Sequence, residues 1–339
     1  MHLETKMKKY IFIILFAAGN RAESQQKLPV IDMHLHATPA SNNGPPPTAI
    51  CAPPDEWAPY DPAKNWTEAF AGLLRNPACE NPIWGPATNE EVMKLTLDIL
   101  KEHNIYGVTS GPYVDDYISH GGERIIPGLS FNFFNKDLTP GKVSELLSSG
   151  KFRVFGEVSI QYNGISPSDS LFEPYATIAE VLDIPIGIHV GTGPPGAPYL
   201  PGLKNYRARL HSPLVVEELL LRHPRLRIYL MHAGWPMIDD LLAVLWVHPQ
   251  VYVDVGVICY AIPRAAFHDY LKRIVDAGFG KRVMFGSDQM NWPATIEVGM
   301  EAIETADFLS GEQKRDILYN NAARFLRLTD EEIAKHHGH

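Results

Sequence analysis

Four histidines and one aspartate end separate apolar segments of this 339-residue chain. They are His34, His36, His189, His232 and Asp288. Neutral imidazole is the commonest protein ligand for zinc-like ions, and a carboxylate can both bind such an ion and transfer protons. These residue types could therefore hold a divalent metal ion and use it to activate water.

The positions of these residues strengthen that interpretation. His34 and His36 face the same side of an extended segment, because side chains two residues apart point the same way in a strand. Such a pair alone is weak evidence, since most His-x-His pairs are surface or core residues. His189 and His232 also end apolar runs, where an unpartnered imidazole would be an awkward substitute for Val or Ile. The dispersed set can converge only where parallel strands end at one rim, as in a closed barrel.

The elements needed for such a barrel are present in the sequence. Short segments rich in Val, Ile and Tyr alternate with helical patterns, which is typical of a parallel sheet covered by helices. The predicted strands are 29–36, 105–109, 125–132, 153–160, 185–191, 227–233, 251–257 and 282–288. The predicted helices are 89–103, 140–150, 172–182, 212–223, 237–247, 264–277, 292–307 and 310–327, and 113–124 carries the weakest pattern. We predict an α/β fold, a distorted (β/α)8 TIM barrel over residues 28–328, followed by a disordered tail at 329–339.

A long proline-rich insertion, residues 37–88, separates the first predicted strand from the first helix. Loops that follow barrel strands build the reactive face, so this segment is expected to cover the site as a flap and to shape substrate choice. A purely structural flap is the alternative. Cys51 and Cys79 both lie in this insertion, and we predict that they form a disulfide bridge, with two free thiols as the alternative.

The motifs resemble those of the amidohydrolase superfamily, in particular its amidohydrolase-2 branch of hydrolases and decarboxylases. The resemblance covers Val30 to Leu328 and rests on His34-Leu35-His36, His189, Arg222-His223-Pro224, Met231-His232-Ala233-Gly234, Gly286-Ser287-Asp288 and Asn320-Asn321-Ala322-Ala323-Arg324-Phe325. It implies a site for one or two divalent ions, most simply zinc, with His34, His36, His189, His232 and Asp288 as ligands.

The family usually places a carboxylated lysine or a glutamate on the fourth strand, where it bridges two metals. Here that strand carries Glu157 and ends without a lysine. Glu157 is therefore expected to be a further ligand, because a carboxylate in an apolar strand requires a cation or another ionic partner. The alternative is a single-ion site in which Glu157 makes outer contacts or transfers protons.

The expected function is hydrolysis of a C–N or C–O bond in a small carbonyl substrate such as an amide, a lactone or an ester. A divalent ion lowers the pKa of water from about 15.7 to roughly 7 and polarises a carbonyl. Asp288 is expected to take the proton from that water and pass it to the leaving group, and His232 either binds the metal or orients the carbonyl oxygen. The alternatives are a non-oxidative decarboxylase of a small, aromatic carboxylic acid and a non-catalytic protein that uses the metal for stability.

The remaining features concern partners and location. The net charge is −9 without a Lys/Arg cluster beyond the N-terminus, which argues against a nucleic-acid partner. Lys6, Lys8 and Lys9 precede a short apolar run, which predicts a signal peptide at 1–22, export to the periplasm or the medium, and no stable membrane insertion after processing. A buried N-terminal element is the alternative, and a homo-oligomer is possible.

Several polar residues receive lesser predictions. Gln161 and Tyr162 are expected to point at the substrate, and Asp254 is expected to be structural. Three residues before the fifth helix, Arg207, Arg209 and His211, could clamp a carboxylate or could simply be exposed. Histidines in the helical patterns are assigned to the outer layer; they are His103, His223, His248 and His268.

Overall fold

Eight parallel strands form one sheet in the computed structural model, which describes residues 27–57, 59–132 and 135–339. The predicted signal peptide lies outside the described residues. The strands in chain order are β1 Val30–His36, β2 Ala49–Ile50, β3 Ile83–Trp84, β4 Ile105–Ser110, β5 Ile125–Phe131, β6 Val154–Val158, β7 Ile186–His189, β8 Ile228–Met231, β9 Tyr252–Asp254 and β10 Val283–Met284. The sheet order is β1-β4-β5-β6-β7-β8-β9-β10, and β2 pairs with β3 in a separate antiparallel ribbon.

The sheet is a nearly closed barrel. Beyond β10 the chain runs back along β1, where the Met33 N–H donates to the Phe285 carbonyl at 2.9 Å and the Asp288 N–H donates to the His34 carbonyl at 2.7 Å. These bonds join the last strand segment to the first, and the predicted TIM barrel is confirmed. Strand β10 is shorter than the predicted 282–288, because the chain leaves the extended conformation before Asp288, whose φ is +53°.

Helices lie between the strands, largely where the sequence predicts them. They are α1 Trp66–Arg75, α2 Asn89–Glu102, α3 Val114–Gly121, α4 Pro140–Ser148, α5 Glu173–Val181, α6 Glu217–Arg222, α7 Ile238–Val247, α8 Ile258–Ala261, α9 Arg264–Ile274, α10 Thr295–Glu304, α11 Gly311–Arg315, α12 Asn321–Leu326 and α13 Asp330–His336. Local signals explain several starts: Thr88 and Glu91 form a capping box, and Thr139 caps α4 with Pro140 at its first position. In the part of the chain that is described, no helix is both long and apolar enough to cross a membrane.

Two apolar clusters support the barrel. The larger cluster lies between the strands and the surrounding helices. The smaller one fills the barrel interior and combines strand residues such as Ile31, Met33 and Tyr229 with Phe325 of α12. The register of β1 against β4 shifts between Asp32 and Leu35. This shift allows the apolar residues below it and the histidines above it to face the same interior.

The insertion after β1 consists of a base and an upper part. The base is bonded to the loop that follows Asp288: Asn291 donates to the Ala40 carbonyl and the Thr48 hydroxyl, both at 3.2 Å, and the Trp292 indole donates to the Thr48 carbonyl at 3.2 Å. The upper part, residues 52–78, contains α1, and Pro54 is its one buried residue among those described. The predicted disulfide between Cys51 and Cys79 is confirmed and stands at the junction of the two parts.

We expect the disulfide to hold the upper part of the flap rather than the barrel. In the Cys51→Ser/Cys79→Ser double variant, residues 52–78 should become sensitive to protease, while the thermal midpoint of the barrel should fall by only a few degrees. The reason is that loss of a bridge loosens the loop that it closes, and this loop contributes little buried surface. Limited proteolysis and calorimetry measure the two effects. Reduced wild-type protein should behave like the variant, and a cooperative collapse of the whole chain in either sample would contradict the expectation.

The prediction of a disordered tail at 329–339 is wrong. Residues Asp330–His336 form α13, which begins with a capping box between Thr329 and Glu332. The His336 ring is buried and stacks on Tyr106 with a centroid distance of 3.5 Å, and its Nδ1 lies 3.0 Å from the Tyr319 hydroxyl. The polar composition of the tail gave no indication of this aromatic contact, which depends on residues far away in the sequence.

Acid should weaken the protein through this contact. Burial lowers the pKa of His336 from 6.5 to about 4. The unfolded chain therefore binds this proton more tightly than the folded chain, so the free energy of unfolding falls as the pH drops through about 6.5 towards about 4. Between about pH 7.5 and about pH 4.5, wild type should lose on the order of 2 kcal/mol more than His336→Phe, which keeps an aromatic ring at this position.

Urea unfolding of both proteins at the two pH values measures this difference. His339→Phe, at the exposed chain end, is the control and should follow wild type. Equal acid sensitivity of wild type and His336→Phe would show that His336 does not contribute.

Candidate metal centre

The structure brings all six predicted ligands together at the carboxyl ends of the strands. Asp288 Oδ1 lies 2.9 Å from His36 Nε2 and 3.8 Å from His34 Nε2. The His189 and His232 rings are 4.5 Å apart, and His232 Nδ1 is 3.9 Å from Asp288 Oδ2. In three groups of three residues, one potential ligand atom from each residue lies within 4.8 Å of the other two. The groups are His34 with His36 and Asp288, Glu157 with His189 and His232, and His34 with His232 and Asp254.

Glu157 stands between the histidines. Its Oε2 is 3.7 Å from His36 Nε2 and 3.9 Å from His34 Nε2, whereas its Oε1 is 4.0 Å from His189 Nε2. Burial raises the pKa of this carboxyl, but the surrounding histidines outweigh burial and hold the pKa well below its ordinary value. Glu157 is therefore an anion that reaches two sets of imidazoles.

The chemistry of the donors fits a divalent ion. Among the described residues, His34 Nε2 and His189 Nδ1 are buried without a hydrogen-bond partner, and each such atom costs about 1–3 kcal/mol if nothing satisfies it. Burial and the nearby His232 keep the pKa of His189 well below its ordinary value, so its ring is in the neutral form that binds metals. Imidazole nitrogens with two carboxylates form a donor set typical of zinc and related ions.

Two further aspartates form hydrogen bonds that hold His34 of β1 and His232, which follows β8, in place. Asp254 Oδ1 accepts hydrogen bonds from the backbone N–H groups of His232 at 3.0 Å and Gly256 at 2.8 Å, and its Oδ2 lies 3.3 Å from His34 Nδ1. Asp32 Oδ1 accepts from the N–H groups of His34 and Ser287, both at 2.9 Å. Carboxylates placed behind imidazoles orient them and raise their basicity. Asp254, which we expected to be structural, is thus bonded to the backbone of a candidate ligand. The sequence could have indicated this, because Asp254 is an acidic residue within the apolar segment Val253-Asp254-Val255.

Strained backbone shapes the rim at two of the candidate ligands. His232 and Asp288 have φ values of +59° and +53°, in the left-handed region that side chains rarely adopt. Hydrogen bonds to other segments hold both residues. His232 Nδ1 lies 2.9 Å from the Gly256 carbonyl, and the Tyr260 hydroxyl donates to the Asp288 carbonyl at 2.6 Å. Such strain costs on the order of 1–3 kcal/mol per residue and is concentrated at functional sites.

The loops after β6 and β7 surround His189. The Gln161 amide donates to the His189 carbonyl, and the Tyr162 hydroxyl lies 3.1 Å from His189 Nε2. His211 is buried and its ring stacks on Tyr206 at 4.4 Å.

The carboxylate clamp considered for Arg207, Arg209 and His211 does not form, because both arginines are exposed and only the histidine points inwards. The sequence does not show which of these three polar residues is buried and which are exposed. The histidines assigned to the outer layer do lie there, as His223 does between Glu173 and Glu180.

A family model for amidohydrolases matches residues 139–328, which is more than half of the chain. The chain belongs to the amidohydrolase family. The resemblance drawn from the motifs is thereby confirmed, and no curated protein sequence matches this family member.

Solved structures share the fold of this amidohydrolase at low sequence identity. An uncharacterised TIM-barrel protein from Bordetella bronchiseptica is 16% identical, with a TM-score of 0.61 over 91% of this chain and 100% of that one. A probable 2-pyrone-4,6-dicarboxylic acid hydrolase from Acinetobacter baumannii is 14% identical, with a TM-score of 0.56 over 89% and 100%. A 5-carboxyvanillate decarboxylase from Novosphingobium aromaticivorans, determined with manganese, is 14% identical, with a TM-score of 0.55 over 90% and 97%. Hydrolases and decarboxylases both occur among these amidohydrolase-like barrels.

Proposed function

We propose that this protein is a metal-dependent hydrolase that cleaves a C–N or C–O bond of a small carbonyl substrate, an amide, a lactone or an ester. The observation that carries the proposal is the position of Glu157. Its two oxygens face different histidines, His34 and His36 on one side and His189 on the other. A carboxylate in this position could hold two divalent ions together with these histidines, and such ions would supply the activated water that hydrolysis requires.

The charges next to the cluster support an uncharged substrate. Within 4.0 Å, every ion-pair partner of Glu157 and Asp288 among the described residues is a histidine. A decarboxylase must hold a substrate carboxylate, and arginine is the side chain best suited to that task. No arginine is among the described ion-pair partners of Glu157 and Asp288.

The residues have distinct tasks in this proposal. A bound divalent ion, for which zinc is our choice, supplies a water of lowered pKa and polarises the substrate carbonyl. Asp288 accepts the proton of the attacking water and returns it to the leaving group, a role suited to a carboxylate held by backbone bonds at the rim. His232 has Nδ1 engaged by the Gly256 carbonyl, so its Nε2 is available for the metal or for the substrate oxygen.

Non-oxidative decarboxylation is the second candidate. It is favoured by the close approach of His36 to Asp288, 2.9 Å, since these two residues with His34 and His189 already suffice for one ion. In that arrangement Glu157 stays outside the coordination shell. The number of ions per chain therefore discriminates between the two reactions.

We also propose export to an oxidising compartment. The disulfide between Cys51 and Cys79 supports it, because such bridges persist outside the reducing cytosol. The basic and apolar N-terminal residues give the second line of support. A fusion of residues 1–22 to a periplasmic reporter tests the proposal, and a reporter that stays in the cytoplasm would contradict it.

Metal counting combined with a substrate panel tests the proposed reaction. Protein stripped with a chelator is reloaded with zinc or manganese, its ions are counted, and it is offered lactones, esters, amides and hydroxylated aromatic acids. We expect about two ions per chain and hydrolysis of a neutral carbonyl compound. One ion with release of CO2 would establish the decarboxylase instead, and full occupancy without turnover would favour the non-catalytic alternative.

A further inference from the structure

Tyr162 lies beside the candidate metal centre and contacts the ring of the candidate ligand His189. It lies in the short turn Ile160–Asn163 directly after β6. Its hydroxyl is 3.1 Å from His189 Nε2, and its ring meets the His189 ring edge-on at a centroid distance of 4.9 Å. No other side-chain hydrogen bond to the His189 ring is present in the described structure. This hydroxyl is therefore the hydrogen-bond partner, among the described residues, that can fix the orientation of the His189 ring.

Two buried histidines of the cluster have a hydrogen-bond partner at one ring nitrogen. His232 Nδ1 has the Gly256 carbonyl at 2.9 Å, and His189 Nε2 has the Tyr162 hydroxyl at 3.1 Å. Such a partner fixes the orientation of the ring and the nitrogen that carries the proton. For His189 the remaining nitrogen is Nδ1, which is buried without a hydrogen-bond partner.

We propose that Tyr162 is a positioning residue that fixes the orientation of the His189 ring at the candidate metal centre. This inference rests on the proposed metal-dependent function. The Glu157 carboxylate is the competing partner for Nε2, but at 4.0 Å it is beyond hydrogen-bond distance, whereas the Tyr162 hydroxyl is within it.

The surroundings of Tyr162 leave its hydroxyl little freedom. A Cβ atom at Gly193 would lie only 2.6 Å from the hydroxyl oxygen, so the loop after β7 needs glycine to approach this closely. The rings of Tyr206 and His211 pack against Tyr162 at 5.4 and 5.3 Å. Gln161, the preceding residue, bonds the His189 carbonyl. The same turn thus secures both the backbone and the ring of His189.

Tyr162→Phe tests the inference, because it removes the hydroxyl and keeps the ring. Tyr206→Phe is the matched control: it is a neighbouring buried tyrosine whose hydroxyl accepts from the Gly193 backbone at 2.8 Å and contacts no candidate ligand. Zinc affinity, measured by competition with a chromogenic chelator, should fall about 10–100-fold in Tyr162→Phe and stay near wild type in the control. The visible spectrum of the cobalt-loaded protein should shift in Tyr162→Phe alone, which lost packing by itself would not produce.

Two outcomes would overturn the inference. One is wild-type affinity and spectrum in Tyr162→Phe, and the other is an equal loss of affinity in both tyrosine variants, which would assign the effect to packing. If Tyr162→Phe does not fold, Gly193→Ala replaces it, since the added methyl displaces the hydroxyl while the tyrosine remains; unchanged metal affinity there would overturn the inference as well. Failure of the proposed function is distinguishable, because it would appear as metal-loaded wild type that hydrolyses no compound of the substrate panel, whereas the test of Tyr162 measures metal affinity and the cobalt spectrum.

Discussion

Asp288→Asn should lower kcat by about 10²–10⁴-fold on the best substrate while the chain stays folded. The asparagine amide has the shape of the carboxylate but cannot accept the proton of the attacking water. The rim should survive, because the bonds that anchor this residue use its backbone: its N–H donates to the His34 carbonyl at 2.7 Å, and its carbonyl accepts from Tyr260 at 2.6 Å. Steady-state kinetics, with the metal content of the same sample, measures the effect.

The control for this variant is Asp240→Asn. Asp240 Oδ2 accepts a hydrogen bond from Ser212 at 2.6 Å, outside the metal cluster, and an asparagine oxygen can replace it. Wild-type kcat is expected there. Retained turnover in Asp288→Asn would refute the acid–base role of Asp288, whereas joint loss of turnover and metal would show that it acts as a ligand first.

Glu157→Gln should reduce the metal bound at saturation from about two ions per chain to about one, and should lower kcat by at least about 10²-fold. The physical reason is the loss of a negative charge between two sets of imidazoles. Glutamine keeps the volume of the side chain but offers only one neutral oxygen. Equilibrium dialysis against zinc, followed by metal analysis of protein and buffer, gives the stoichiometry.

Glu173→Gln provides the comparison for this second variant. Glu173 also has basic partners, Arg222 at 2.8 Å and His223 at 2.8 Å, but it lies on the outer layer. Its stoichiometry should equal that of wild type. A single ion in wild type, unchanged in Glu157→Gln, would place the glutamate outside the coordination shell and favour decarboxylation.

The sequence was sufficient to predict the barrel and the set of residues at its rim. Apolar runs of strand length recur at regular intervals, and parallel strands place their carboxyl ends at one edge. His36, His189 and His232 could therefore be assigned to one site although they are far apart in the chain. Glu157 could be identified because the predicted strand 153–160, which is β6 of the structure, contains a single carboxylate.

The supporting residues could not be predicted in the same way. Asp254 and Tyr162 lie beside ring nitrogens of residues on other strands, and no periodic pattern marks such contacts. His211 was one of three polar neighbours, of which the fold buries only one. The polar composition of residues 329–339 predicted disorder, but His336 of this segment stacks on the ring of Tyr106.

The disulfide at the junction of the flap has a consequence for how this protein can be altered. The chain enters and leaves the segment 52–78 at two cysteines whose Cα atoms are 5.8 Å apart. A segment with such close ends can be shortened, lengthened or exchanged for another sequence at small cost to the rest of a fold. Chimeras that graft a foreign segment between Cys51 and Cys79 would test whether this segment shapes substrate choice, without rebuilding the strands that carry the histidines. Residues 52–78 are thus a segment that can be exchanged, and the two cysteines define its ends.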